Sequence, residues 1–456
     1  MPVPTPTEPP RSILRRRQPP PITPLSLEIS RRMPSEVFDI IIERIARFDV
    51  PTLRACSLVC KAWLPVSRHH LFPAISLGPK NAKRFLRLLD SPHCTISNGV
   101  HHVSIHGDSD AISHRASRGS RIYPPDTDVS LSAGGTPSSC DETLLRRLAS
   151  FPLLTSLSFS WLRTGLTPST TAALIHGFAG LTALELRTCT FPSFDKFTNM
   201  ICALQNLRRI VLADVTWVDL ALPESPTRQS LPPRLESLDL YLSPIGHVCT
   251  WLATRSDELE NLSTINMCSA FWEDIDAISI AWMLRRLGPK IKHLGLPWHL
   301  PEIDLSHHTE LRTLRISHLW FKPVLDSPAE ECFTARGIEK TLLQLSSPQI
   351  RSIEIRVLTL FQLKSSELGF DWEKMKRILS RKCFAQLQVL TFGLPACDKR
   401  LKMMLRNVWG GAREATEDDD SRRHSRSSRR SGSRRLTRLQ VDEVFAGKAK
   451  NETDSP

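Results

Sequence analysis

Several common classes of protein are excluded by what this 456-residue chain lacks. No run of about 18 apolar residues exists, so the sequence predicts no membrane-spanning helix and no membrane partner. The first residues, MPVPTPTEPPRS, contain no apolar segment, so we expect no secretory signal. The eleven cysteines include no CxxC pair, which predicts a reduced, intracellular protein of the cytoplasm, the nucleus or both.

The chain also lacks the signatures of the common catalytic sites. No GxxxxGKS/T, GxGxxG, HExxH or GxSxG motif is present. Adjacent histidines occur three times, at 69–70, 101–102 and 307–308. Neighbouring side chains on a helix or strand point in different directions, so such pairs make poor metal ligands. We therefore expect a protein that is not an enzyme, with no cofactor and no metal site.

The positive charge is concentrated at the two ends of the chain. The formal net charge is +13, to which residues 1–32 contribute +4 and residues 421–440 contribute +8. The body of the chain is only mildly basic, so the charge favours contacts made by the tails or nuclear addressing over a body that binds nucleic acid.

Composition divides the chain into six segments. Proline removes backbone donors, and runs rich in Ser, Gly and charge cannot build a core, so three segments are predicted to be disordered. The predicted order is a disordered Pro-rich arm at 1–30, a helical module at 31–75, a connector with a possible first repeat at 76–106, a disordered insertion at 107–140, a repeat domain at 141–410 and a disordered acidic, then Arg/Ser-rich tail at 411–456.

The two charged tails leave several interpretations open. The arm places Arg15, Arg16 and Arg17 between proline clusters, as a localisation or docking motif or as part of a solvated leader. The Arg/Ser tail is consistent with a nuclear-import patch, a segment that contacts RNA, a phosphorylation switch or a solvated tail without a dedicated role.

A repeated pattern, apolar-x-x-apolar-x-apolar, dominates the middle of the chain. Its first five steps are 27, 26, 28, 27 and 29 residues, and an earlier match at Val100 lies 54 residues before Leu154. Such spacing is typical of leucine-rich repeats, whose short strands stack side by side and bury their apolar side chains continuously. The nine matches begin at Leu154, Leu181, Leu207, Leu235, Leu262, Ile291, Leu311, Ile350 and Leu387.

We expect a helix in each interval between these strands. The later steps of 20, 39 and 37 residues predict an irregular solenoid, as does the consensus Asn or Cys position, which only Cys189 fulfils. The alternative is a generic α/β or helical domain in which the pattern arises from a high leucine content. The candidate helices are 141–149, 170–178, 194–204, 246–254, 274–287, 337–345 and 372–380.

Residues 33–72 predict three short helices. Pro34 suits the first turn of the first helix, Pro51 interrupts the chain, a second helix runs from Leu53 to Cys60, and a third starts at Trp63. About forty residues cannot bury much surface alone, so this triplet is expected to lie on another domain or on a partner. The first helix carries an apolar stripe of Val37, Ile40, Ile41, Ile45 and Phe48.

This segment resembles the F-box. The family's opening Leu-Pro-x-Glu-Ile/Leu corresponds to Met33-Pro34-Ser35-Glu36-Val37, and its Val-Cys-Lys/Arg-x-Trp corresponds to Val59-Cys60-Lys61-Ala62-Trp63. The match covers about a tenth of the chain. Met33 replaces the usual Leu, and Pro51 stands in the segment where the family has Asp-Leu.

The resemblance implies an α/β protein with an N-terminal three-helix F-box, an irregular leucine-rich-repeat solenoid and disordered tails. It also implies a substrate-recognition subunit of an SCF-type E3 ubiquitin ligase. The F-box would dock on a Skp-type adaptor and through it a cullin, and the repeats would hold an unknown target protein. The residues implied in adaptor contact, or in shaping that surface, are Pro34, Val37, Ile41, Leu53, Leu58, Val59 and Trp63.

Three alternatives stay open at this stage. Trp63 is as well suited to the core of the triplet as to partner contact. The chain is alternatively an interaction scaffold outside any ligase, or an RNA-associated protein that acts through its Arg/Ser tail.

Overall fold

A computed structural model describes eleven stretches of the chain, which divides into two compact units, Met1–Leu71 and Phe72–Pro456. The predicted arm at 1–30 lies outside the described residues. So do the 107–140 insertion except Gly107, and the 411–456 tail except Arg438–Glu443. The described residues are 34–92, 94–107, 142–162, 167–219, 230–241, 245–268, 274–297, 303–320, 336–358, 372–394 and 438–443.

The first unit contains the three expected helices, α1 (Ser35–Ala46), α2 (Val50–Cys56) and α3 (Trp63–Leu71). Two predicted details are wrong. Pro51 lies in the first turn of α2, where its missing N–H would have had no helical partner. Helix α2 ends at Cys56, and residues 57–62 form turns instead of a helix that continues to Cys60.

The second unit is α/β, and its described strands form one twelve-stranded sheet in which every pairing is parallel. The strand order equals the order along the chain, so each strand pairs with those that precede and follow it. The strands are β1 (Ala74–Leu77), β2 (His102–His106), β3 (Ser156–Leu162), β4 (Ala183–Ser193), β5 (Arg209–Asp219), β6 (Ser237–Tyr241), β7 (Thr264–Cys268), β8 (His293–Pro297), β9 (Thr313–Trp320), β10 (Ser352–Leu358), β11 (Val389–Leu394) and β12 (Arg438–Glu443).

Helices fill most of the intervals between strands. All seven predicted helices are confirmed, with ends within two residues of those expected, and α4 was not predicted. The β5–β6 and β8–β9 intervals hold no α-helix in their described residues, and a shorter segment buries Ile303 and Leu305 before β9. The helices are α4 (Ala82–Leu89), α5 (Glu142–Leu148), α6 (Pro168–Gly177), α7 (Phe194–Ala203), α8 (Ile245–Thr254), α9 (Asp274–Leu287), α10 (Arg336–Gln344) and α11 (Trp372–Leu379).

The repeated apolar pattern builds the core of this unit. Its last two positions, such as Leu157 and Phe159 in β3, are at most 3% exposed in every strand from β2 to β11. They pack with the helices into one continuous apolar cluster. Burial of each such side chain contributes roughly 1.5–3 kcal/mol, so stacking of neighbouring repeats stabilises the whole sheet.

A left-handed residue recurs at one register position in three neighbouring strands. Trp161, Thr188 and Asp214 have φ values of 63°, 51° and 54°, which are uncommon for residues other than glycine. Each stands just before an aligned, buried residue, and in β4 that residue is Cys189. The Cys189 thiol hydrogen is shared between two backbone carbonyls, that of Arg187 at 3.3 Å and that of Phe159 at 3.7 Å.

Two strands lie where the sequence analysis predicted none. Strand β1 follows Phe72 with Ile75 and Leu77, which repeats the apolar pattern of the later strands. Strand β12 aligns Leu439 and Val441 with the inward pair of β11, so the prediction of disorder is wrong for Arg438–Glu443. Alternating apolar residues explain both strands. The second was not predicted because the sequence next to it is rich in charge.

Candidate functional site

The helical unit is held together by a small internal core. Ile42 of α1 and Leu53 of α2 are each 1% exposed, and Cys56 is also buried. The rings of Phe38 and Trp63 lie 5.2 Å apart and join α1 to α3. This core therefore uses one face of α1 and leaves the other available.

A side-chain cap fixes the turn between the first two helices. The Asp49 carboxylate accepts the Thr52 backbone N–H at 3.1 Å and the Thr52 hydroxyl. These two hydrogen bonds lower the pKa of Asp49, because they favour its charged form. The cap starts α2 immediately after the turn and leaves Phe48 and Val50 on the surface.

Large apolar side chains are unusually exposed on this unit. Of the fourteen that are exposed among the described residues, seven lie in this short unit. Ile40 is 64% exposed, Phe48 83% and Leu58 86%. Soluble monomers rarely leave apolar groups so concentrated, and such patches are typical of surfaces that another protein or segment covers. We call this set the apolar surface: Val37, Ile40, Ile41, Phe48, Val50, Leu58 and Val59.

The apolar surface has two parts. Val37, Ile40 and Ile41 follow three- and four-residue steps, so they share one face of α1. Leu58 and Val59 lie in the turns between α2 and α3. An open depression next to the first part is lined by Ile40, Phe48 and the charged side chains of Glu43, Arg44 and Arg47.

The seven residues implied in adaptor binding divide into two groups. Pro34, Val37, Ile41, Leu58 and Val59 are exposed and available for contact. Leu53 is buried and Trp63 is half-buried against Phe38, so both are placed to shape the surface from beneath. Ile40, Phe48 and Val50 belong to the same surface but were not among the implied residues, although the helical spacing of Ile40 and Phe48 was visible in the sequence.

The outward face of the sheet is a second candidate surface, and it is polar. One outward-facing position is aligned from strand to strand across the sheet. In β1, β2 and β3 this position is Ser76, Ser104 and Ser158, whereas most later strands carry charged or amide side chains there. The Asp239 carboxylate accepts from the Arg209 guanidinium at 2.7 Å and from the Asn266 amide at 2.6 Å. This hydrogen bonding raises the pKa of Arg209.

A second charged group lies nearer the end of the sheet. The Glu354 carboxylate pairs with Arg315 on the neighbouring strand at 2.6 Å and with Arg356 on its own strand. One carboxylate shared by two guanidinium groups leaves this part of the face with net positive charge. Such a face offers hydrogen bonds and ion pairs to a protein partner, and it differs in chemistry from the apolar surface.

No protein-family model matches the chain, and neither does any curated protein sequence. Across the described stretches, no group of three His, Cys, Asp or Glu side chains is placed to hold a metal ion. None of the described helices has the length and apolar character needed to cross a bilayer.

Proposed function

We propose that the chain is a substrate-recognition subunit of an SCF-type E3 ubiquitin ligase, as the resemblance to the F-box implies. The helical unit docks on a Skp-type adaptor, which connects it to a cullin. The sheet unit, an irregular leucine-rich-repeat solenoid in this proposal, binds the target protein. The observation that carries the proposal is the apolar surface.

The apolar surface supplies the free energy for docking. A Val, Leu, Ile or Phe side chain that passes from full exposure to full burial contributes roughly 1.5–3 kcal/mol. Ile40, Phe48 and Leu58 are exposed enough to contribute much of that each, which offsets part of the loss of translational freedom on docking. Glu43, Arg44 and Arg47 border the apolar groups and supply a polar rim.

The sheet unit supplies recognition and no chemistry of its own in this proposal. Its parallel strands present an outward face of mostly polar side chains, which the backbone holds at regular spacing. A target held there gains a high effective concentration near the ubiquitin-charged enzyme that another subunit brings. Transfer to a target lysine then follows from proximity.

Co-purification of the full-length protein with a Skp-type adaptor and a cullin tests the proposal. We expect both to be recovered with the wild type and lost with Ile41→Lys or Val59→Lys. Ile278→Lys on α9 is the matched control, since Ile278 is 71% exposed in the other unit and should leave recovery unchanged. Failure of the wild-type chain to recover the adaptor overturns the proposal.

A reconstituted ubiquitination assay separates a ligase subunit from a scaffold. A ligase subunit supports ubiquitin transfer to the protein that it binds, in a manner that depends on the apolar surface. A scaffold binds the adaptor and yields no modified partner.

A further inference from the structure

Three cations occupy the same position in three consecutive repeats. Lys292, Arg312 and Arg351 each stand one residue before a strand, at β8, β9 and β10. The Arg312 N–H donates to the Lys292 carbonyl at 2.7 Å, and the Arg351 N–H donates to the Arg312 carbonyl at 2.8 Å. The backbones therefore form adjacent rungs, about 4.8 Å apart. We call these three residues the cation ladder.

The charge of the cation ladder is not neutralised within the described residues. None of the three side chains pairs with a described carboxylate, and the nearby Glu354 is already shared by Arg315 and Arg356. The Arg312 Nε is buried without a described hydrogen-bond partner. An arginine donor withdrawn from water in this way favours an acceptor supplied by a ligand.

The electrostatic field beside the ladder is positive. Burial lowers the pKa of His293, and the charges of Arg312 and Lys292 lower it further. Lys292 and Arg312 thus both act on one imidazole, which places their charges in the same region. The field comes from different strands and is therefore a property of the assembled sheet.

Earlier rungs show a different arrangement at the same position. Arg208 and Glu236, which precede β5 and β6, pair with each other at 3.3 Å. Thr182 and Ser263 occupy the rungs on either side and carry no charge. The earlier rungs are therefore neutral overall, and the uncompensated charge lies at β8 to β10.

We propose that the cation ladder binds an acidic segment of the target protein, in extended conformation across the starts of β8, β9 and β10. The inference rests on the proposed function in one respect only, which is that the protein bound by the ladder is called the target. Side chains on one side of an extended peptide repeat about every 6.8 Å, so two or three carboxylates span the ladder of roughly 10 Å. Arg312 and Arg351 offer planar guanidinium groups that suit carboxylate oxygens.

The local chemistry favours an acidic peptide over a nucleic acid. The first five residues of β8, β9 and β10 are HLGLP, TLRIS and SIEIR, which include no Phe, Tyr or Trp for stacking of bases. A short acidic segment needs neither stacking nor a long basic track.

Zero-length carbodiimide cross-linking of the full-length protein tests the proposal. The probe is a biotinylated peptide of alternating Glu and Ser, and mass spectrometry locates the lysines joined to its carboxylates. Arginine does not form this cross-link, and residues 421–440 contain no lysine, so the Arg/Ser segment does not confound the result. We expect Lys292 to be joined several-fold more often than Lys83, an exposed lysine on α4.

Matched variants identify the ladder as the cause. Arg312→Gln/Arg351→Gln should lower the Lys292 yield by roughly fivefold to tenfold, because two of the three attracting charges are gone. Arg84→Gln/Arg87→Gln removes the same charge from α4 and should leave the yield unchanged. Arg351→Gln alone alters an exposed side chain and leaves the partly buried Arg312 in place, so it is unlike the double variant in not disturbing buried packing. It should lower the Lys292 yield about twofold to threefold.

Three outcomes overturn the inference. These are equal cross-linking of Lys292 and Lys83, an equal loss in both double variants, and stronger suppression of the Lys292 cross-link by oligouridylate than by unlabelled acidic peptide. Adaptor recovery is measured on the same variants. If Lys292 is not preferentially cross-linked but the adaptor is recovered, the cation-ladder inference fails and the proposed function stands. If Lys292 is preferentially cross-linked but the adaptor is not recovered, the proposed function fails and the acidic-peptide site stands.

Discussion

The Trp63 ring packs against Phe38 at a centroid distance of 5.2 Å, which ties the start of α3 to α1. Trp63 is half-buried, and Phe38 is on the inner side of α1 near the buried Ile42. The tryptophan therefore contributes to the internal packing that holds the apolar surface in place. Changes at this internal contact should therefore alter the stability of the helical unit, whereas changes on the apolar surface should alter binding.

Replacement of Trp63 should destabilise the helical unit. We expect Trp63→Ala to lower its free energy of unfolding by about 2–4 kcal/mol, below the full range for a buried ring because Trp63 is only half-buried. Trp63→Phe should retain most of the stability. Hydrogen exchange of amides in α1 and α3 measures the effect for this unit alone. Unchanged exchange in Trp63→Ala would contradict the packing role.

Ile40 and Ile42, two residues apart on α1, should behave in opposite ways. Ile40→Glu alters a side chain that is 64% exposed, so the stability should change by no more than about 0.5 kcal/mol while adaptor binding is lost. Ile42→Ala removes a side chain that is 1% exposed and should cost about 2–4 kcal/mol. Hydrogen exchange and adaptor co-purification on both variants check the contrast. Loss of stability in Ile40→Glu would show that this face packs internally.

The repeated pattern made most of the sheet predictable. Leu157 and Phe159 represent an alternation that recurs with nearly constant spacing, and such a period admits few arrangements other than stacked strands. The intervening helices followed because intervals of this length leave room for one. Strand β12 was missed because 43 residues rich in charge separate it from β11.

The site was less predictable, for a physical reason. Helix α1 has one apolar set at Val37, Ile40 and Ile41 and another at Phe38 and Ile42, about 100° further around the helix. Both sets follow helical spacing, so periodicity alone does not say which is buried. The choice depends on where α2 and α3 pack, and that is a tertiary property.

The buried carboxylate of Asp239 should matter more than a surface one. It is 2% exposed and accepts from Arg209 and Asn266, so Asp239→Ala should cost about 1–3 kcal/mol by leaving both donors without their acceptor. Glu236→Ala is the control, because Glu236 and its partner Arg208 are both about half exposed and such pairs contribute at most about 1 kcal/mol. Denaturant titration of both variants gives the comparison. Equal losses would mean that burial of Asp239 adds nothing.

Cysteine labelling should divide the thiols by burial. Burial raises the pKa of Cys189 to about 12 and that of Cys249 well above its usual value, whereas Cys60 is exposed. We expect iodoacetamide at about pH 8 to modify Cys60 readily and to spare Cys189 and Cys249, because the thiolate is the reactive form. Mass spectrometry of labelled peptides measures this, and the unfolded chain should lose the difference. Early labelling of Cys189 in the folded protein would contradict its placement.

Acid sensitivity of the sheet unit should depend on His308. Burial lowers the pKa of His308 from 6.5 to about 4, with a smaller effect of His307, and both ring nitrogens lack a described hydrogen-bond partner. The unfolded chain therefore binds more protons between these two values. The stabilising contribution is present above about pH 6.5 and is lost as the pH falls toward 4, by about 3 kcal/mol in all.

A buried hydrocarbon side chain should remove that sensitivity. His308→Leu should weaken the fall in melting temperature between pH 7 and pH 4.5 and should be neutral or stabilising at pH 7, since it removes polar atoms that are buried without a described partner. His176→Gln on the exposed side of α6 is the matched histidine control and should retain the wild-type profile. Thermal melts across this range decide the matter, because identical profiles for His308→Leu and the wild type would mean that His308 does not titrate with unfolding.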